Sequence, residues 1–242
     1  MARPLASSRR VLSLPRRLFY SYHDTAQGGS FGSVGQAILA AAHCHVPEHG
    51  FSQTSLSLGA RDAGFLDISP SVFPDGPFCL IHDYVMSQRR ALPRHHDELF
   101  SHGKGANVAD RVAALTWARL VANKKIIHHW QQALAIMAQP CYILTSLKEL
   151  ALLSDHIYNL AHDGCVDSSW YSKRASLSAI YSTAELFMTN DASPSFLDTQ
   201  AFLNTRLAEA QSVSTVVGSL GQWTGFTIKA GVNVLRSKGL PI

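Results

Sequence analysis

The 242-residue chain predicts an all-α fold. Three observations carry that prediction. No stretch alternates apolar and polar residues over a length that would make a half-buried strand. Apolar residues recur instead at spacings of three and four, one face of a helix. The segments marked this way are punctuated by helix signals, with starts at Ser52, Asn107 and Ser193-Pro194 and stops at Gly50, Gly64 and Pro140. A chain of this size buries a core without disulfides. Its four cysteines, Cys44, Cys79, Cys141 and Cys165, form no CxxC pair and read as free thiols.

The N-terminus reads as an address. Arg3, Arg9, Arg10, Arg16 and Arg17 lie among serines, and no acid precedes Asp24. An Arg- and Ser-rich, acid-free opening over residues 1–22 is the pattern of a mitochondrial transit peptide, with a disordered basic arm as the alternative. Cleavage is expected near Phe19 or Tyr20. The whole chain carries +4, with 21 Lys and Arg against 17 Asp and Glu. Removing the five leading arginines leaves 16 basic residues against 17 acidic ones, a charge near −1. The basic balance therefore belongs to the leader and is no footprint for nucleic acid.

After a flexible joint, Gln27–Ser33, a compact unit spans residues 33–92. Ser33 can cap a helix running to about Val46, with Ile38, Ala41 and Ala42 inward. Pro47 and Gly50 end it. Ser52 caps a second helix, with Leu56 and Ala60 inward, stopped by Gly64. A short element follows near Ser69–Phe73. A fourth helix, about Phe78 to Ala91, buries Leu80, Ile81, Tyr84 and Val85. Two short helices, a tight turn and a longer helix resemble a helix-turn-helix module. The segment that would read bases, Phe65–Phe73, holds Asp67 and Pro70 and no basic residue. Base and phosphate contacts need Arg, Lys, Asn or Gln, so nucleic acid is not an expected partner.

Pro93–Gly105 reads as a polar linker. His95, His96, Asp97, Glu98 and His102 are ligand types, but nothing there fixes a geometry, and no metal site is expected. His43, His45 and His49 fare the same, because residues two apart do not share a helix face.

Residues 106–212 form a second, larger helical unit. Helices are expected from an Asn107 cap to about Ala122, from Lys124 to Ala138 with Trp130, Leu134 and Met137 inward, from Thr145 to Ala161, and from Ser169 to Asn190. The pair Ser193-Pro194 opens the next, whose stripe is Phe196, Thr199, Leu203, Leu207 and Ala210. No nucleophile elbow, phosphate loop, dinucleotide fingerprint or HExxH pattern occurs, and no catalytic residue is assigned. Glu185 stands among apolar residues. It is a buried functional acid, or it faces outward, or it pairs with a neighbour such as Lys173 or Arg174. The richness in Leu, Ile, Ala, Met and aromatics suits an apolar cavity for a lipid-like ligand and equally suits a solid core. Ile157, Tyr158, Trp170 and Tyr171 flank the loop between two helices, either as a partner-binding anchor or as a staple closing the loop.

The tail, residues 216–236, sets Val216, Leu220, Trp223, Thr227, Ala230 and Val234 on one face, with Lys229 and Arg236 on the other. No acid follows Glu209. An apolar stripe with a cationic back suits a helix lying on an anionic lipid surface. It is not a spanning segment, since no uncharged apolar run of about 18 residues exists. Gly218, Gly221, Gly225 and Gly231 each cost about 0.8–1 kcal/mol in a helix, so the helix needs a surface, either lipid or its own domain.

The stretch WYSKRASLSAIYSTAELFMTNDASPSFLDTQAFLNTRL from Trp170 closely resembles the lipid-binding accessory protein family of coenzyme Q (ubiquinone) biosynthesis, the ninth of the Coq proteins. HHWQQALAIMAQP from His128 and VPEHGFSQTSLSLGARDAGF from Val46 agree with it. The resemblance covers roughly Val34 to the C-terminus. It implies a TetR-regulator-like fold and a homodimer at the matrix face of the inner mitochondrial membrane. It further implies binding of isoprenoid quinone lipids, without catalysis, and their presentation to the demethoxyubiquinone hydroxylase, a di-iron enzyme. By alignment the partner surface falls on Trp170 and Tyr171, with Ile157 and Tyr158 nearby. The membrane helix falls on the tail, through Val216, Leu220, Trp223, Thr227, Lys229, Val234 and Arg236, against cardiolipin-containing membrane. The competing expectation on the same scaffold is a ligand-responsive DNA-binding regulator.

Overall fold

The computed structural model describes residues 32–66, 73–100, 107–163 and 169–216. The leader at 1–22, the core of the 69–73 element and all of the tail beyond Val216 lie outside the described residues. Among the described residues every regular element is helical: α1 Ser33–Ala42, α2 Val46–His49, α3 Gln53–Asp62, α4 Pro77–Phe100, α5 Val108–Val121, α6 Ile127–Met137, α7 Ile143–Leu160, α8 Ser169–Met188 and α9 Leu197–Val216. None of these is long and apolar enough to cross a membrane.

Two caps form as the sequence suggests. Ser52 Oγ accepts from the Ser55 amide at 3.3 Å, and Asn107 Oδ1 accepts from the Asp110 amide at 2.8 Å. Each satisfies one of the amides a helix start leaves without a partner. Three expectations need correction. Gly32, not Ser33, is the N-cap of α1, which stops at Ala42 and passes through a 3-10 turn, His43–His45. Pro47 does not end a helix; it sits in the first turn of α2, where its missing N–H costs nothing. The polar linker beginning at Pro93 is helix as far as Phe100. Packing on both sides of the proline outweighs the lost hydrogen bond. Leu92 is fully buried, and Phe100 packs beside His96 and under the Arg111 guanidinium.

The buried side chains fall into two clusters. The first gathers Ile38, Leu39 and Ala42 of α1, Leu56 and Ala60 of α3, Cys79, Leu80 and Ile81 of α4, and Trp130 and Ala133 of α6. Phe51, Tyr84 and Trp130 meet edge to face there, with centroids 5.6 to 5.8 Å apart. Gly59 lets α1 and α3 touch: a Cβ on it would lie 2.5 Å from the Ala42 amide nitrogen. The second cluster gathers Val112, Leu115 and Leu120 of α5, Leu153 and Ile157 of α7, Leu177, Tyr181 and Ala184 of α8, and Leu203 and Leu207 of α9. Leu92 belongs to it as well, so α4 begins in one core and ends in the other.

Between the cores runs a buried polar chain. Arg119 donates to Asn123 Oδ1 at 2.9 Å, and Asn123 Nδ2 donates to Glu185 Oε1 at 3.0 Å. Tyr181 donates to the same carboxylate oxygen at 3.0 Å, and Tyr84 reaches Asn123 at 3.3 Å. Burial raises the Glu185 pKa, against the pull of the Arg119 charge and these donors. Glu185 therefore neither faces outward nor pairs with Lys173 or Arg174. It is a satisfied structural acid that ties α8 to the turn between α5 and α6.

Candidate lipid cavity and aromatic surface

The second core is not solid. Between α5, α8 and α9 it borders a cavity of about 740 Å³ that is partly open to solvent past Val108, Arg206 and Glu209. Val108, Ala109 and Val112 form one wall, Leu177 and Ile180 a second, and Phe202, Leu207 and Ala210 a third. Their spacing is the helical period: each helix turns one apolar stripe inward, and the stripes fail to close on one another. Polar side chains gather at the two ends. At the α7–α8 end stand Asp163, Ser172, Lys173 and Ser176; on α9 stand Arg206 and Glu209. Lys173 Nζ lies 3.1 Å from Asp163 Oδ2, and Arg206 Nη1 lies 2.7 Å from Glu209 Oε2. The volume and the mostly apolar lining suit a drug-sized or lipid-like guest. A smaller hollow of about 500 Å³ lies between α4, α5 and α9, along Leu99, Ala114 and Trp117.

The same helix ends build the aromatic surface. Trp170 and Tyr171 open α8 with ring centroids 4.6 Å apart, and Tyr171 is 75% exposed. The Arg174 guanidinium lies 3.7 Å over the Trp170 ring and 5.3 Å from the Tyr158 ring. Its Nε donates to Asp155 at 2.7 Å and its Nη1 to the Trp170 carbonyl at 3.3 Å. A buried arginine held by a carboxylate fixes both rings by cation–π contact. Burial pushes the Tyr158 hydroxyl up from its ordinary pKa, with Lys173 opposing and Asp163 adding to the shift.

Of the four residues expected at a partner surface, Tyr158, Trp170 and Tyr171 are brought together. Ile157 is not: at 0% exposure it belongs to the second core. Its spacing from Leu153 and Ala161, both buried, is the signal that assigns it inward. Arg174 and Asp155, which hold the surface in shape, had no signal beyond their charges. Of the tail residues, Val216 closes α9 and Leu220, Trp223, Thr227, Lys229, Val234 and Arg236 lie outside the described residues. Two of the histidines considered as ligands meet carboxylates: His43 Nε2 lies 2.8 Å from Asp83 and His45 Nε2 2.6 Å from Asp62. Among the described residues no three of His, Cys, Asp and Glu converge.

The described residues thus define a helical protein with an apolar cavity, and beside it an exposed Tyr171 paired with a half-buried Trp170. A family model described as COQ9 matches residues 143–214, the span of α7, α8 and α9. Ubiquinone biosynthesis protein coq9, mitochondrial, of Schizosaccharomyces pombe is 36% identical over 234 residues, covering 96% of this chain and 92% of that protein. Ubiquinone biosynthesis protein COQ9-A, mitochondrial, of Xenopus laevis is 34% identical and the Homo sapiens COQ9 also 34%; the matches cover 81% and 73% of this chain, and 63% and 57% of those proteins. The chain belongs to the COQ9 family. It spans nearly all of the yeast relative and somewhat less than two thirds of the vertebrate ones.

Proposed function

We propose that this chain is a non-catalytic, lipid-presenting protein of mitochondrial ubiquinone biosynthesis. The observation that carries the reading is the apolar cavity of about 740 Å³ beside the Trp170–Tyr171 surface. Relatives named as mitochondrial ubiquinone biosynthesis proteins supply the process and the compartment. The cavity takes the isoprenoid part of a quinone intermediate, and the aromatic surface meets the demethoxyubiquinone hydroxylase. Residues 216–236 lie on the matrix face of the inner membrane, by apolar burial and attraction of Lys229 and Arg236 to cardiolipin. The protein works as a homodimer on a TetR-like arrangement of a small unit and a larger ligand unit. Residues 1–22 deliver it and are removed.

The test compares hydroxylase capture and co-purifying quinone for the wild type, Trp170→Lys and Tyr171→Ala. Capture should fall at least about ten-fold for Trp170→Lys, with bound quinone retained. Unchanged capture removes the partner role of this surface. Loss of quinone together with capture shows that Trp170 supports the fold instead.

A further inference from the structure

The hydrogen-bond donors of the cavity lining are used differently at its two ends. On the open side they are already engaged. The Thr183 hydroxyl donates to the Ala179 carbonyl at 2.9 Å, with the Ile180 carbonyl equally near, and Arg206 donates to Glu209 at 2.7 Å. At the α7–α8 end two hydroxyls are left over. Tyr158 and Ser176 line the cavity there, both half-buried. Among the described residues neither hydroxyl makes a hydrogen bond. Burial raises the Tyr158 pKa, so the phenol keeps its proton and remains a donor. The charges at this end, Lys173 and Asp163, are opposite and lie 3.1 Å apart.

We propose that Tyr158 and Ser176 form the head-group site of the cavity, donating to oxygens on the ring of the bound lipid, whose chain runs along Ile180, Phe202 and Leu207. The proposal rests on the lipid-presenting reading above. Three points carry it. A donor that loses water to a guest must find an acceptor in that guest, or its desolvation is uncompensated. A purely aliphatic guest leaves both hydroxyls unpaired, so the site discriminates in favour of a lipid whose ring carries oxygens. The opposed charges of Lys173 and Asp163 suit a neutral head group rather than a phosphate. The rest of the lining accounts for the chain. Beyond Ser176 the cavity face of α8 continues through Leu177 and Ile180 to Thr183, about 10 Å further along the helix. Phe202 and Leu207 of α9 face the same space. This orientation sets the ring beside the aromatic surface. Tyr158 lies 5.3 Å from the Arg174 guanidinium, which itself covers Trp170 at 3.7 Å. Ser176 stands about 8 Å along α8 from Tyr171.

The test measures the affinity of the full chain for decylubiquinone and for decylbenzene, which keeps the chain and lacks the ring oxygens, by displacement of the fluorescent probe N-phenyl-1-naphthylamine. Tyr158→Phe and Ser176→Ala should each weaken decylubiquinone roughly three- to ten-fold and leave decylbenzene unchanged. Each variant removes little more than a hydroxyl, and circular dichroism checks that helical content is kept. Equal weakening of both ligands makes the two residues structural and overturns the head-group site. A variant that binds decylubiquinone as the wild type does takes its residue out of the site, and if both do so the site falls. If Arg206→Met brings the selective loss instead, the ring lies on the open side and the proposal is overturned. In all these cases the lipid-binding reading stands. A wild-type protein that binds neither ligand removes that reading itself.

Discussion

Asp191 carries the start of α9. Its carboxylate accepts from the Ser193 amide at 2.7 Å and from the Thr199 amide at 2.9 Å, and also from the Thr199 hydroxyl. Burial alone would raise its pKa. The donors from Ser193 and Thr199 outweigh that and hold it down at about 2, against an ordinary value of 3.8. Folded pKa below unfolded pKa means that the stabilisation is complete above pH ~4 and is lost as pH falls through about 2. Asp191→Ala should cost about 1 kcal/mol at neutral pH. In chemical denaturation the gap between variant and wild type should close as the pH approaches 2. The sequence pointed to Ser193-Pro194 as the start, and Ser193 does accept from the Asp198 amide. It did not point to Asp191, because the chain turns back through Ser195 and Phe196, both at positive φ, before the helix begins. The Ser52 and Asn107 caps were legible because each bonds an amide three residues on. Asp191 bonds one eight residues on, a distance that no local pattern encodes.

At the scale of elements, helix existence was legible, while some ends, at Ser33, Pro47 and Pro93, were not. All the long helices follow from apolar spacing, and the α9 stripe of Thr199, Leu203 and Leu207 is buried as its period requires. Pro93 misled for a physical reason. Its local penalty, about 3 kcal/mol in a helix interior, is a property of sequence, whereas the burial of Leu92 that offsets it is a property of packing. Gly59 is the converse case. In sequence it is an unremarked glycine within α3; in the fold it is the point where α1 and α3 touch. Gly59→Ala should therefore destabilise by about 1–3 kcal/mol through overpacking, despite the better helix propensity of alanine. A lowered thermal midpoint checks this, and a raised one shows that α1 shifts aside at no cost.

For the whole molecule, periodicity could not tell a solid core from a hollow one. Both present the same inward stripes, and the difference lies in how far apart three helices stand. The aromatic surface was half legible: the residue types stood out, but its support by Arg174 and Asp155 joins α8 to α7 across a turn. The tail remains an argument from sequence. Trp223→Glu places a carboxylate on its apolar face, and flotation with cardiolipin liposomes should be abolished while helical content is unchanged. Flotation that persists removes the membrane role of residues 216–236. The long helix α4 has a consequence for the molecule as a unit. Cys79 to Ile81 are built into one core and Leu92 into the other, on a single unbroken rod. Neither core can come apart while that rod stays whole in its partner, so two clusters that look separable in cross-section melt as one cooperative body.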